Sequence, residues 1–241
     1  MAMLPNVLLR GSGDCTVKLS SKVVALLAGV ACCGTLARAD VHNEAGDAGT
    51  FPNTAQTITG SGPLTRINGS LNRAVGDVID MFLITISDPA SFSAATVRPS
   101  ASFMDDTTLF LFRLDGTGIA KNDDIDEVNY LSLLPVGASQ YAGLSPGEYV
   151  LGIAPYGVLP SVVTNPTSTT QLVFPFQPYT GVTGTLNGLL PMLGYGEISG
   201  PGSTGDYAIN LTGASMVTVP TPAAAVLLGL GSLSAGRRRR N

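Results

Sequence analysis

Between residues 40 and 215 apolar positions recur with a period of two, in short runs closed by Gly, Pro, Asn or Asp. That alternation suits strands with one buried face, and long stretches with a 3.6-residue period are absent. In "DMFLITI" (80–86) Phe82, Ile84 and Ile86 share a face, with Met81, Leu83 and Thr85 opposite. "TTLFLFRL" (107–114) sets Phe110, Phe112 and Leu114 against Leu109, Leu111 and Arg113. "GEYVLGIA" (147–154) aligns Tyr149, Leu151 and Ile153, and "GDYAINLTG" (205–213) aligns Tyr207, Ile209 and Leu211. "LTRINGSL" (64–71), "FSAATV" (92–97) and "TQLVF" (170–174) predict further strands. Many short strands between turn signals predict an all-β, antiparallel β-sandwich.

Two apolar segments break this pattern, one at each end. Lys18 and Lys22 precede "VVALLAGVACCGTL" (23–36), followed by Ala37-Arg38-Ala39 and a polar stretch from Asp40. A basic start, a short apolar run and small residues at 37 and 39 predict a signal peptide over 1–39, cleaved after Ala39. Lipidation at Cys32 is disfavoured, because Gly29 stands where a branched aliphatic is needed. At the other end, residues 223–236 are all apolar or small, and Arg237, Arg238, Arg239 and Arg240 stop the run. As a helix these residues cover about 21 Å, short of a bilayer core of roughly 30 Å. Pro220 and Pro222 break the chain just before it. The arginines would stay cytoplasmic and leave the body outside.

Composition narrows the chemistry. All three cysteines, Cys15, Cys32 and Cys33, lie in the leader, so the body offers no thiol nucleophile, thiolate ligand or disulfide. From residue 40 to the tail five basic residues face sixteen acidic ones, a net charge of −11. Such a body repels nucleic acid and suits divalent cations. His42 is the single histidine, and the chain has no tryptophan. Nucleophile–base pairs are therefore scarce, and a sugar-cleaving carboxylate pair would lack its usual aromatic platform. The acidic run "DGTGIAKNDDIDE" (115–127) opens on a hairpin-type Asp115-Gly116 and crowds Asn122, Asp123, Asp124, Asp126 and Glu127 together. These oxygens either hold calcium or form a solvated turn, since the spacing is not that of an EF-hand.

The tail "VPTPAAAVLLGLGSLSAGRRRR" (219–240) resembles a PEP-CTERM sorting signal: a proline-flanked tripeptide, a Gly/Leu/Ala run and an arginine stop. Pro220, Thr221 and Pro222 stand at the tripeptide, with Thr221 in place of the family's Glu. The resemblance implies export, a transient hold in the inner membrane and processing by an exosortase-type enzyme over 216–241. The body resembles the bacterial pre-peptidase C-terminal domain, through "NEAGDAGTFPNTAQTI" (43–58), "GDVIDMFLITI" (76–86), "DTTLFLFRLDGTGIAKNDD" (106–124) and "LSPGEYVLGIA" (144–154). That resemblance implies a jelly-roll-like sandwich over 40–215. It also implies calcium held where the acidic lead-in meets loops at the sheet end, here by Glu44, Asp47, Asp123 and Asp124. Residues 155–202 are rich in proline and match little of it.

The function expected from these features is that of an exported, non-enzymatic protein of the cell envelope or extracellular matrix. Its partners would be the export machinery, the processing enzyme and an extracellular polymer or protein, and not nucleic acid. An alternative is an accessory binding domain serving a secreted hydrolase.

Overall fold

The computed structural model describes residues 40–99, 103–198 and 202–219. The leader, the proline-flanked tripeptide and the tail lie outside these residues. No helix among the described residues is long and apolar enough to cross a membrane.

The strands are β1 (Asp40–Asn43), β2 (Gln56–Thr57), β3 (Leu64–Ser70), β4 (Asp80–Ile86), β5 (Ser93–Val97), β6 (Thr107–Phe112), β7 (Gly118–Asn122), β8 (Leu133–Leu134), β9 (Gly147–Pro155), β10 (Val158–Ser161), β11 (Gly194–Glu197), β12 (Asp206–Thr212) and β13 (Ala214–Ser215). One sheet runs β1-β3-β12-β5-β8. A second runs β13-β4-β9-β6-β7, with β2 also on β4, and β10 and β11 pair as a separate two-stranded sheet. The fold is an all-β sandwich. Its pairings are antiparallel except for β1 on β3 and β2 on β4, which are parallel. Strand pairing continues past the expected boundary at 215, because Val217 bridges Thr59.

The period-two faces lie where alternation places them. Phe82, Ile84, Ile86, Leu109, Leu111, Tyr149, Leu151 and Ile153 meet Ile67, Tyr207, Ile209 and Leu211 from the other sheet in one buried core. Thr96 on β5 and Thr107 on β6 join hydroxyls at 2.8 Å, and Ser132 closes the group. This keeps buried polar atoms paired between the sheets.

The second face of β6 is also buried. Phe110 and Phe112 pack with Met81, Val150 and Ala154 against Val158, Leu172, Val173, Phe174 and Met192. Residues 155–198, where the sequence pattern had faded, thus form a third layer over the β4-β9-β6 face. Phe174 lies 5.7 Å from Phe110 and 5.4 Å from Phe112, ring centre to ring centre. Each such pair stabilises by about 0.5–1.5 kcal/mol beyond its buried area.

Two expectations change. Residues 170–174 do not form a strand: Thr169–Gln171 is a 3-10 turn. The Asn187 amide takes the carbonyls of Thr170 and Leu172 at 2.9 and 2.6 Å, which leaves only an isolated bridge from Leu172 to Ser161. Leu114 does not join Phe110 and Phe112. The register shifts between Leu111 and Phe112, β6 ends there, and Leu114 stands exposed beside the Asp115–Gly116 turn.

Candidate metal centre

The acidic lead-in wraps onto the end of the intersheet core. β1 adds its strand beside β3, and the Glu44 N–H donates to the Asn68 carbonyl at 2.8 Å. This fixes the Glu44 side chain, whose two oxygens accept from Ala48 N–H at 3.2 Å and Ser70 N–H at 2.8 Å. Asp47 accepts from Gly49 N–H at 2.7 Å and presents its carboxylate from the same loop.

Facing this loop is the turn that leads into β4. Asn72 caps a 3-10 turn, Arg73–Val75, by accepting from Ala74 N–H, and Gly76 closes it at φ 85°. The reversed chain delivers Asp77, and one turn later Asp80 opens β4. Asp80 lies in phase with Phe82, Ile84 and Ile86, so its carboxylate points into the intersheet core and is fully buried. Tyr207, reaching across from β12, donates its hydroxyl to Asp80 Oδ2 at 2.6 Å. Gly69 leaves room for that ring: a Cβ there would collide with the Tyr207 hydroxyl and with Glu44 Oε2.

Asp47, Asp77 and Asp80 each bring one oxygen within 4.8 Å of the others. At that separation, with an effective dielectric of ~20, ionised Asp77 and Asp80 repel by about 3 kcal/mol. The buried Oδ1 atoms of Asp77 and Asp80 have no hydrogen-bond partner. Burial pushes the Asp80 carboxyl up to about 8, and the Tyr207 hydrogen bond only partly offsets it while Glu44, Asp77 and Asp47 add to it. Burial also raises Glu44, and it raises Asp77 with help from Asp47. The cluster is anionic, partly dry and short of donors. A hard divalent cation, which takes carboxylate oxygens and tolerates irregular geometry as calcium does, meets all three conditions.

Asp123 and Asp124 belong elsewhere. Asp80, Ile153, Leu109 and Asn122 lie in one row across β4, β9, β6 and β7. Three strand spacings put about 14 Å between Asp80 and the end of β7. Glu44 and Asp47 therefore do not meet Asp123 and Asp124. The latter pair joins Asp106 on the opposite side of the sheet, under the third layer.

That second group has a cation of its own. Lys121 is buried beneath residues 175 and 176, donating to their carbonyls at 3.4 and 3.2 Å. Its ammonium lies 3.7 Å from Asp123 Oδ2, and Asp123 Oδ1 accepts from the Thr108 hydroxyl. Burial raises Asp106 to about 7 and Asp124 to about 6, in both cases with further push from Asp123. Asn122 ties the same corner together through Leu133 N–H and the Asp124 and Gly181 carbonyls. Asp126 accepts from the N–H groups of Val128 and Asn129 in an exposed turn. The acidic run is thus part strand, part turn, and half-neutralised from within.

Asp77 and Asp80 were not singled out from the sequence. The available signal was an acidic residue in the apolar phase of "DMFLITI", three residues after another. His42, the sole histidine, bonds Gln56 Oε1 through Nε2 at 2.8 Å. Its ring meets Phe82 edge-on. No protein-family model matches the chain, and no curated protein is significantly similar to it.

Proposed function

We propose that this chain is an exported, non-catalytic β-sandwich of the cell envelope or extracellular matrix, held together at one end by calcium. The observation that carries this reading is the buried, unpartnered Asp80 oxygen in a carboxylate cluster with Asp47 and Asp77, with Glu44 nearby. An assembly of that kind is neutralised either by a proton on Asp80 or by a cation from solution, and the converging carboxylates favour the cation. Calcium sites of extracellular modules work at 10⁻⁴–10⁻³ M, a range met outside the cell. The site therefore suits the destination implied by the leader over 1–39 and the tail over 216–241.

In this reading the tail, with Pro220, Thr221, Pro222 and the four terminal arginines, holds the chain in the inner membrane until an exosortase-type enzyme cuts it. The sandwich, jelly-roll-like as its motifs suggest, then contacts an extracellular polymer or protein. Because Lys121 already sits beside Asp123, this reading seats the calcium at Asp47, Asp77 and Asp80 rather than at Asp106, Asp123 and Asp124.

Thermal unfolding with calcium and with chelator tests the site. At 100 times its dissociation constant a ligand stabilises by about 2.7 kcal/mol. Equal unfolding temperatures in the two conditions would remove the calcium claim.

A further inference from the structure

The third layer carries a surface that the sandwich does not use. Residues 184–196, "GTLNGLLPMLGYG", contain no charged side chain in a body of net charge −11. Leu189 is 82% exposed, and Leu190, Leu193 and the neighbouring Leu114 are each more than half exposed. The backbone beneath them is pinned. Leu186 N–H donates to the Val173 carbonyl at 2.8 Å, Met192 N–H to the Gly116 carbonyl at 2.9 Å, and Leu190 N–H to Asn187 at 3.4 Å. The leucines are therefore held outward by structure. Beside them Leu114, Leu193, Phe51 and Pro191 line a cleft of about 390 Å³. Its one charged residue, Asp115, spends its Oδ1 on the Thr117 N–H and hydroxyl at 2.9 and 2.7 Å. An exposed, contiguous apolar patch of this kind marks a contact surface.

Chain length says what it meets. Pro52 sits on the rim of the cleft, and seven residues later Thr59 bridges Val217. That places Val217 within about 24 Å of the patch. Ala223, where the sequence turns apolar, is six residues beyond Val217 and can reach about 20 Å further. We propose that this leucine-bearing loop is a membrane-resting surface, which dips into the interfacial zone of a bilayer while the C-terminal run holds the chain there. The proposal rests on the membrane hold assigned to the tail under the proposed function. Tethering raises the effective concentration of the loop at the bilayer. Its lack of charge makes it the part of an acidic body least repelled by lipid headgroups, and leucines on a pinned turn can bury in the acyl boundary.

The chain has no tryptophan, so a single one reports its own surroundings. The full chain carrying Leu189→Trp is floated with phosphatidylcholine vesicles that contain brominated lipid. Val128→Trp, at an exposed valine in the acidic turn away from the patch, is the control. Insertion predicts a blue shift and roughly twofold quenching for Leu189→Trp only. Flotation with both tryptophans in water overturns the loop's role and leaves the tail reading standing. Failure of the chain to float overturns both. A blue shift that grows with protein concentration in the absence of vesicles shows a second copy on the patch, and also overturns the proposal.

Discussion

Calcium affinity should depend steeply on pH, because the proposed ligand Asp80 is protonated at neutral pH when no metal is bound. Its carboxyl is raised from 3.8 to about 8, chiefly by burial. A cation that binds the carboxylate must displace that proton, so the dissociation constant falls roughly tenfold for each pH unit up to about 8. Between pH 6 and pH 8 the change is about 50-fold, or about 2.3 kcal/mol, since half the carboxyl is still protonated at pH 8. The metal-free protein behaves in the opposite sense. A carboxyl raised on folding contributes its full stability below the ordinary value near 4 and loses it as pH climbs to about 8. From the size of the shift the loss is on the order of 5 kcal/mol. Chelated protein should therefore weaken from pH 5 to pH 8, whereas calcium-loaded protein, with Asp80 ionised throughout, should hold level. Titration calorimetry at pH 6, 7 and 8, paired with urea unfolding in calcium and in chelator, reads both. Asp80→Asn should flatten the chelated slope and abolish the calcium response together. A dissociation constant unchanged over those two pH units would refute the reasoning, as would parallel slopes with and without metal.

Other consequences are more local. Gly69→Ala should push the Tyr207 ring and the Glu44 carboxylate apart and weaken calcium binding more than Gly181→Ala at an open turn, read in the same titration. Phe174→Ala should cost about 3–5 kcal/mol in urea unfolding, since it empties the contact between the third layer and Phe110 and Phe112. Lys121→Met should cost about 3–5 kcal/mol at pH 7 by leaving Asp123 buried without its ammonium. Burial already raises Asp123, so part of that loss should return as the pH falls and the carboxyl is protonated. Unfolding of Lys121→Met at pH 5 and pH 7 checks this, and equal losses at both would count against it.

Legibility followed the apolar phase each strand keeps. β12 buries chiefly one face, Tyr207, Ile209 and Leu211, while β4 and β9 also bury Met81, Val150 and Ala154 under the third layer yet keep a clear inward phase, and the bounds of all three were readable to within a residue or two. β6 is apolar on both faces, Leu109 and Leu111 inward and Phe110 and Phe112 outward, so its alternation implied a covering layer without saying where it lay. The cover itself, residues 155–198, has no period of its own. Apart from the short β10–β11 ladder, its backbone is satisfied by turns and by side-chain caps such as Asn187 on the Thr170 and Leu172 carbonyls.

The site was half legible for a similar reason. Glu44 and Asp47 stand in a visibly acidic lead-in. Asp77 and Asp80 are hidden at the junction of a turn and a strand, where acidic residues usually begin solvated segments. Asp123 was readable as acidic but not as buried. Its partner Lys121 lies two residues back on the same strand, and the carbonyls that hold Lys121 come from residues 175 and 176, far along the chain.

Native mass spectrometry of the protein recovered from its host's envelope or medium tests the account most directly. The account predicts a chain that begins at Asp40, ends near Pro220–Pro222 and carries one calcium that chelator removes. A full-length, metal-free chain in the cytosol would contradict it.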